Sequence, residues 1–282
     1  MNIAVSTIAF MGMPIEEVIK SAKENNLTIE FSSGLPYRKD MVDIYLNADI
    51  KRLPHNYFPA PEDPFVLNLA SINSKIRNAS IEHCVFGLEI AKKTNAPFYA
   101  AHAGFCVDPH PDELGRRLKQ TQEYHREENW RIFVNSVKIV LERAKELQID
   151  FLIENNVVAS MNILPDGSNP LLCAEPNELL ALTKEVSDAQ FGILLDTAHL
   201  LVSAGSLHFD ADQALETLAP KIRGFHHSHS NGKFDTNDHL GKEYWFLAHM
   251  KDFRERFHIL EVKNMTIANI RDHMTLLESH AI

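Results

Sequence analysis

The chain reads as a single-domain (β/α)8 barrel, and three observations lead there. Eight short apolar runs alternate with helical stripes from end to end. A length of 282 residues suits eight such strand–helix units. Ionisable residues gather at the C-terminal ends of the runs, and in a barrel those ends open on one face.

The strand candidates are residues 2–6 (NIAVS), 27–32 (LTIEFS), 50–55 (IKRLPH) and 96–102 (APFYAAH), followed by 149–155 (IDFLIEN), 191–196 (FGILLD), 222–227 (IRGFHH) and 257–262 (FHILEV). Most are near-continuous apolar runs, as expected of parallel strands covered on both faces. Between them, Ile15, Val18, Ile19 and Ala22 recur at helical spacing. Phe133, Val137, Val140, Leu141, Ala144 and Leu147 keep the same period, as do Ile267, Ile270, Met274 and Leu277. A doubly wound sheet would alternate too, but "STIAFMG" after the first strand is not a glycine-rich dinucleotide fingerprint. With no linker and no repeat, residues 1–282 form one domain in this reading.

With 38 acidic and 28 basic side chains the net charge is −10, a balance that repels nucleic acid on average. The one dense basic cluster, Arg116, Arg117 and Lys119, falls in a helical pattern and reads as a solvated face. No apolar run approaches the roughly 20 residues that span a bilayer, and no leader-like segment opens the chain, so the expected location is the cytoplasm. Cys84, Cys106 and Cys173 lack metal-like spacing and are expected to be reduced and structural. Nothing in the sequence specifies an oligomeric state.

The strand ends carry the chemistry. Run 3 ends in His55, run 4 in His102, and run 5 in Glu154 and Asn155. Run 6 ends in Asp196 with His199 three residues on; run 7 ends among His226, His227 and His229; run 8 ends near Glu261. Run 2 offers only Glu30, in mid-run. Each has an ordinary reading as well. A strand-end histidine is often just hydrogen-bonded, Glu154 can cap a loop, Asp196 can cap the helix that "TAHLL" begins, and Glu261 can pair with Lys263. Taken together, carboxylates and imidazoles converging from five strands would be costly to bury without a cation. Mixed nitrogen and oxygen donors suit Zn²⁺ or Mn²⁺ better than Ca²⁺ or Mg²⁺.

These segments resemble the divalent-metal TIM barrels that unite endonuclease IV with the xylose isomerase-like sugar isomerases and epimerases. "LLDTAHLLVSAG" is similar to the family's Asp–Thr–x–His motif on strand 6, "FLIEN" to its Glu–Asn motif on strand 5, and "HILEV" to its closing glutamate. "RGFHHSHSNG" resembles the strand-7 segment, and "LPHNYF" and "AAHAG" resemble the strand-3 and strand-4 histidine motifs of the endonuclease branch. The resemblance implies a shared metal site at Glu154, Asp196, His226 and Glu261. The strand-7 ligand is His226, His227 or His229, with His226 aligning without a gap. His199 is either a further ligand or a substrate contact. His55 and His102 match two more metal-binding histidines of the endonucleases, whose later Asp–x–His pair is not spaced that way in "FDTNDHLG".

Two activities follow from the resemblance. The first is a metal-dependent isomerase or epimerase of a sugar or sugar phosphate. Glu154 and Glu261, both on the metal, would transfer a proton through an enediolate, with Asn155, His199 and Lys263 meeting the substrate. The alternative is a zinc phosphodiesterase acting on abasic-site DNA, which His55 and His102 favour. The acidic balance opposes it, and the "TIEFSSG" run resembles the isomerase branch. A phosphate-binding group is not evident beyond Arg38, Lys233 and Lys242. The loop over 155–176 is long enough for a lid or for a passive surface excursion.

Overall fold

A computed structural model describes residues 1–118 and 124–282. Eight strands form one parallel sheet: β1 (Asn2–Ser6), β2 (Thr28–Phe31), β3 (Arg52–Pro54), β4 (Phe98–His102), β5 (Asp150–Glu154), β6 (Phe191–Asp196), β7 (Ile222–His227) and β8 (Phe257–Leu260). Their order is β3-β2-β1-β8-β7-β6-β5-β4. The two outermost strands approach through a parallel bridge between His55 and Ala100. Asn56 secures that seam. Its N–H donates to the Ala100 carbonyl at 2.8 Å, its carbonyl accepts from the Tyr99 hydroxyl at 2.6 Å, and its side-chain oxygen accepts from the His102 N–H at 3.3 Å. This requires φ of 47° at Asn56, a left-handed conformation that asparagine tolerates better than most residues. The result is a nearly closed (β/α)8 barrel.

Helices cover the barrel from outside: α1 (Ile15–Asn25), α2 (Met41–Asn47), α3 (Ser74–Lys93), α4 (Arg126–Leu147), α5 (Pro176–Val186), α6 (Thr197–Leu207), α7 (Ala211–Leu218), α8 (Met250–Phe253) and α9 (Ile267–His280). The three periodic stripes fall on α1, α4 and α9. Their apolar faces pack on the outward side chains of the strands, Val5, Ile29, Phe151, Ile153, Leu195 and Phe225 among them. The strands follow the apolar runs closely, trimmed by two residues at β2, β4, β5 and β8 and by three at β3. No helix among the described residues is long and apolar enough to cross a membrane.

One expectation needs correction. Arg116 and Arg117 lie outside any helix, because a 3-10 turn stops at Glu113 and Gly115 takes φ of 73°, which breaks helical continuation. Lys119 lies outside the described residues. Arg38, considered for phosphate, is instead an exposed surface residue paired with Glu16 at 2.6 Å and Asp40 at 2.7 Å.

The inward side chains form layers because side chains alternate along a strand. Ala4, Leu53, Phe98, Ala100, Leu152, Leu194 and Ile259 fill the lower barrel. Gly224 joins them without a side chain, and a Cβ there would come within 3.2 Å of Leu194 and of the Phe257 carbonyl. Two residues further along each strand, the layer above is polar.

Two histidines outside that layer make the fold sensitive to acid. Burial holds His83, on α3, at about 4, and does the same to His258, on β8. Both stay neutral when folded but gain a proton when unfolded. Their contribution is therefore complete above about pH 6.5 and is lost as pH falls towards 4, on the order of 2 kcal/mol each between pH 7 and 5. Urea unfolding at the two pH values is expected to show the drop, and His83→Phe, whose ring suits the Tyr57 stack at 5.3 Å, should reduce it. An unchanged drop in that variant would remove His83 from the account.

Candidate metal centre

The polar layer brings together Ser6, Glu30, His55, His102, Glu154, Asp196, His226 and Glu261 at the C-terminal strand ends. Register explains the arrangement: Glu30 stands beside Ser6, Glu154 beside His102, and Asp196 beside His226. Glu30, Glu154, Asp196 and His226 are fully buried, and His55 nearly so.

His226 is the hub. Its Nδ1 lies 3.0 Å from Glu154 Oε1, 3.2 Å from Glu261 Oε2 and 4.0 Å from Asp196 Oδ2. Its Nε2 lies 2.9 Å from Glu30 Oε2. Burial works against a charged ring, but the surrounding carboxylates of Glu30, Glu261 and Glu154 outweigh it and raise its pKa well above the ordinary value. The other strand-7 histidines face elsewhere. His227 points outward to the Tyr244 hydroxyl and to His258, both at 2.8 Å, and His229 pairs through its backbone with Asp238.

Glu154 divides its two oxygens. Oε1 faces His226, while Oε2 meets His55 Nε2 at 2.8 Å and His102 Nε2 at 3.4 Å. Burial alone would raise this carboxyl, but the imidazoles of His102, His226 and His55 hold it well below the usual range. Glu30, likewise buried, is kept low by His226 and His55.

Asp196 performs two tasks at once. Oδ1 accepts from the His199 N–H at 2.8 Å and caps α6. Oδ2 is buried with no hydrogen-bond partner. Burial, with Glu261, Asp235 and Glu154 adding to it and His199 opposing, raises its pKa to about 8. Asn155 clamps this residue: its side-chain oxygen accepts from the Asp196 N–H at 2.7 Å and its amide donates to the Asp196 carbonyl at 3.1 Å. Asn155, for which a substrate contact was expected, is fully buried.

His199 has a defined orientation, because a carbonyl only accepts. Its Nδ1–H donates to the Asn155 carbonyl at 2.8 Å, which turns Nε2 to Asp235 Oδ2 at 3.3 Å and Asp196 Oδ2 at 3.9 Å. Burial opposes protonation, but Asp196 and Asp235 raise the ring's pKa well above its usual value. Asp235 is one of the acids that "FDTNDHLG" offers after strand 7, set aside there because the Asp–x–His spacing is missing. His199, with Lys263 helping, holds its carboxyl low against burial. Lys263 itself donates to the Thr236 carbonyl at 3.3 Å, so the Glu261–Lys263 pairing is replaced by a contact within the strand-7 loop.

Among the described residues, three groups offer one donor atom each within 4.8 Å: Glu154, Asp196, His226 and Glu261; His55, His102 and Glu154; and Glu30, His55 and His226. The first fits a divalent cation best. Three carboxylates and one imidazole carry excess negative charge, and Asp196 Oδ2 is buried without a hydrogen-bond partner.

The family model for the xylose isomerase-like TIM barrel matches residues 9–280. The chain belongs to that family. Solved structures of the same fold include a D-tagatose 3-epimerase-like protein, with a TM-score of 0.73 and 16% identity, covering 99% of this chain and 97% of that one. A 3-keto-D-glucoside 4-epimerase from E. coli superposes with a TM-score of 0.69 at 11% identity, over 99% and 98% of the two chains. A protein from Thermus thermophilus, in crystals soaked with zinc chloride, gives 0.67 at 18% identity over 99% of both. Among curated proteins, none matches the chain by sequence. Within a xylose isomerase-like barrel the C-terminal strand ends are the face on which a reaction site is built, and the polar layer lies there.

Proposed function

We propose that the chain is a divalent-metal-dependent epimerase or isomerase of a small carbohydrate. The observation that carries this reading is the convergence of Glu154, Asp196, His226 and Glu261 within 4.8 Å on the catalytic face of the barrel. The sugar epimerases among the similar structures support it. These four residues hold the cation, Zn²⁺ or Mn²⁺ by their donor types. When bound, the cation supplies Lewis-acid polarisation of neighbouring carbonyl and hydroxyl oxygens, which acidifies the C–H between them.

The chain's own residues do the rest. Glu154, anionic against its burial, removes the proton from one face of the sugar. Glu261, the most exposed of the four with 15% of its side chain accessible, returns one to the other face. His199, held between the Asn155 carbonyl and Asp235, keeps its ring against Asp196 Oδ2 at 3.9 Å and orients that carboxyl towards the centre. Lys263 and Thr236 tie the strand-7 loop so that Asp235 stays against His199. His55 and His102 orient Glu154 through its second oxygen.

The phosphodiesterase alternative is not favoured. A net charge of −10 and a site rich in carboxylates oppose a phosphate backbone. The deciding assay incubates the protein with Mn²⁺ and a panel of ketoses in D₂O. Deuterium is expected at a single carbon of an epimeric or isomeric product, with the reaction abolished by EDTA. Cleavage of an abasic-site duplex without C–H exchange in any sugar would overturn the proposal.

A further inference from the structure

We infer that Glu30 is a positioning residue of the metal centre: from the second strand it selects the ring tautomer of His226 that turns a bare Nδ1 towards Glu154, Asp196 and Glu261. The inference rests on the metal-centre reading above.

The two ring nitrogens of His226 have different surroundings. Nδ1 faces three carboxylates, at 3.0 Å (Glu154), 3.2 Å (Glu261) and 4.0 Å (Asp196). Nε2 lies 2.9 Å from Glu30 Oε2. A nitrogen that binds a cation must offer its lone pair, so the single proton of the neutral ring has to sit on the other nitrogen. Among the described residues, Glu30 is the hydrogen-bond partner of that nitrogen. A carboxylate behind a ligating histidine fixes its tautomer and rotation and raises its basicity as a donor.

Glu30 has no other visible employment. It caps no helix and accepts from no backbone N–H, and its one hydrogen bond among the described residues is to His226. Its second oxygen is buried without a partner. A wholly buried carboxylate is costly to retain for packing alone, and an apolar side chain would fill the barrel layer equally well. Across the barrel, His55 makes the complementary contact, meeting Glu154 Oε2 at 2.8 Å. Glu30 therefore acts through His226 on the group formed by Glu154, Asp196, His226 and Glu261, to which it does not itself belong.

The test compares Zn²⁺ binding by calorimetry in the full-length wild type and in Glu30→Gln, with ¹⁵N-histidine NMR of both. Glu30→Gln is nearly isosteric and is expected to bind Zn²⁺ roughly 10- to 100-fold more weakly, the usual cost of losing an outer partner. In zinc-loaded wild type, the His226 ring is expected to be protonated at Nε2 and metal-bound at Nδ1. The NMR measurement needs no variant, so it decides the matter even if Glu30→Gln does not fold. Unchanged Zn²⁺ affinity in a folded Glu30→Gln, or the opposite tautomer in the wild type, overturns the role of Glu30. A wild type that binds no Zn²⁺ sinks the metal-centre reading itself, which is a separate outcome.

Discussion

Zn²⁺ or Mn²⁺ added to the metal-free protein is expected to raise Tm by roughly 5–10 °C at a cation concentration about a hundredfold above Kd. The driving force is the crowding of Glu154, Asp196, Glu261 and His226 in a buried layer. There, carboxylates are costly without a counter-charge. With Asp196 pushed up to about 8, its carboxyl carries a proton at neutral pH, and a cation must displace that proton. Binding therefore releases protons at pH 7 and tightens as pH rises towards about 8, where the competition fades. Calorimetry in two buffers of different ionisation enthalpy measures the release. Asp196→Asn is the informative variant, because asparagine caps α6 as well as aspartate does. It should keep the basal Tm and lose the metal-dependent rise. A wild-type Tm indifferent to both cations would remove the centre from the account.

The largest kinetic effects are expected at the two glutamates. Glu154→Gln and Glu261→Gln should each reduce turnover about 10²- to 10⁴-fold, the range that a positioned acid or base supplies. They should differ in their side effects. Glu154 oxygens meet His55, His226 and His102 at 2.8, 3.0 and 3.4 Å, so its loss also disturbs neighbouring rings and weakens metal binding. Glu261 has one such ring contact, to His226 at 3.2 Å, and sits nearer solvent. Its variant should keep a near-normal Tm. In D₂O each variant should still exchange the C–H of one epimer with solvent, because the remaining carboxylate can remove and return a proton on its own face. Full turnover in either variant would refute a two-carboxylate mechanism.

Much of this arrangement is legible in the sequence. Asp196 and His199 interrupt an apolar run, and that anomaly leads to the strand ends where the polar layer gathers. The helix-cap reading of Asp196 holds in the structure, where Oδ1 caps α6, while Oδ2 is buried and unpartnered and is the oxygen we propose for the cation. Asn155 and Lys263 are legible as neighbours of the site, but their hydrogen-bond partners are not. Each is engaged by a backbone carbonyl from a distant segment, Asp196 for the one and Thr236 for the other. Asp235 lies in a polar loop with no period to mark it, and its contact with His199 depends on how that loop returns over the barrel.

Glu30 marks the boundary most clearly. Its position in mid-run sets it aside, although the two-residue alternation that carries Leu152 to Glu154 and Leu194 to Asp196 also carries Thr28 to Glu30. Strand periodicity is local, so the sequence by itself determined the eight strands, the inward face of each and the end at which polar residues collect. Which of those residues meet is set by the parallel register and by closure of the sheet around a common axis. Glu30 and His226 stand 196 residues apart in the chain and 2.9 Å apart in space, a distance that only the curling of the sheet into a barrel decides.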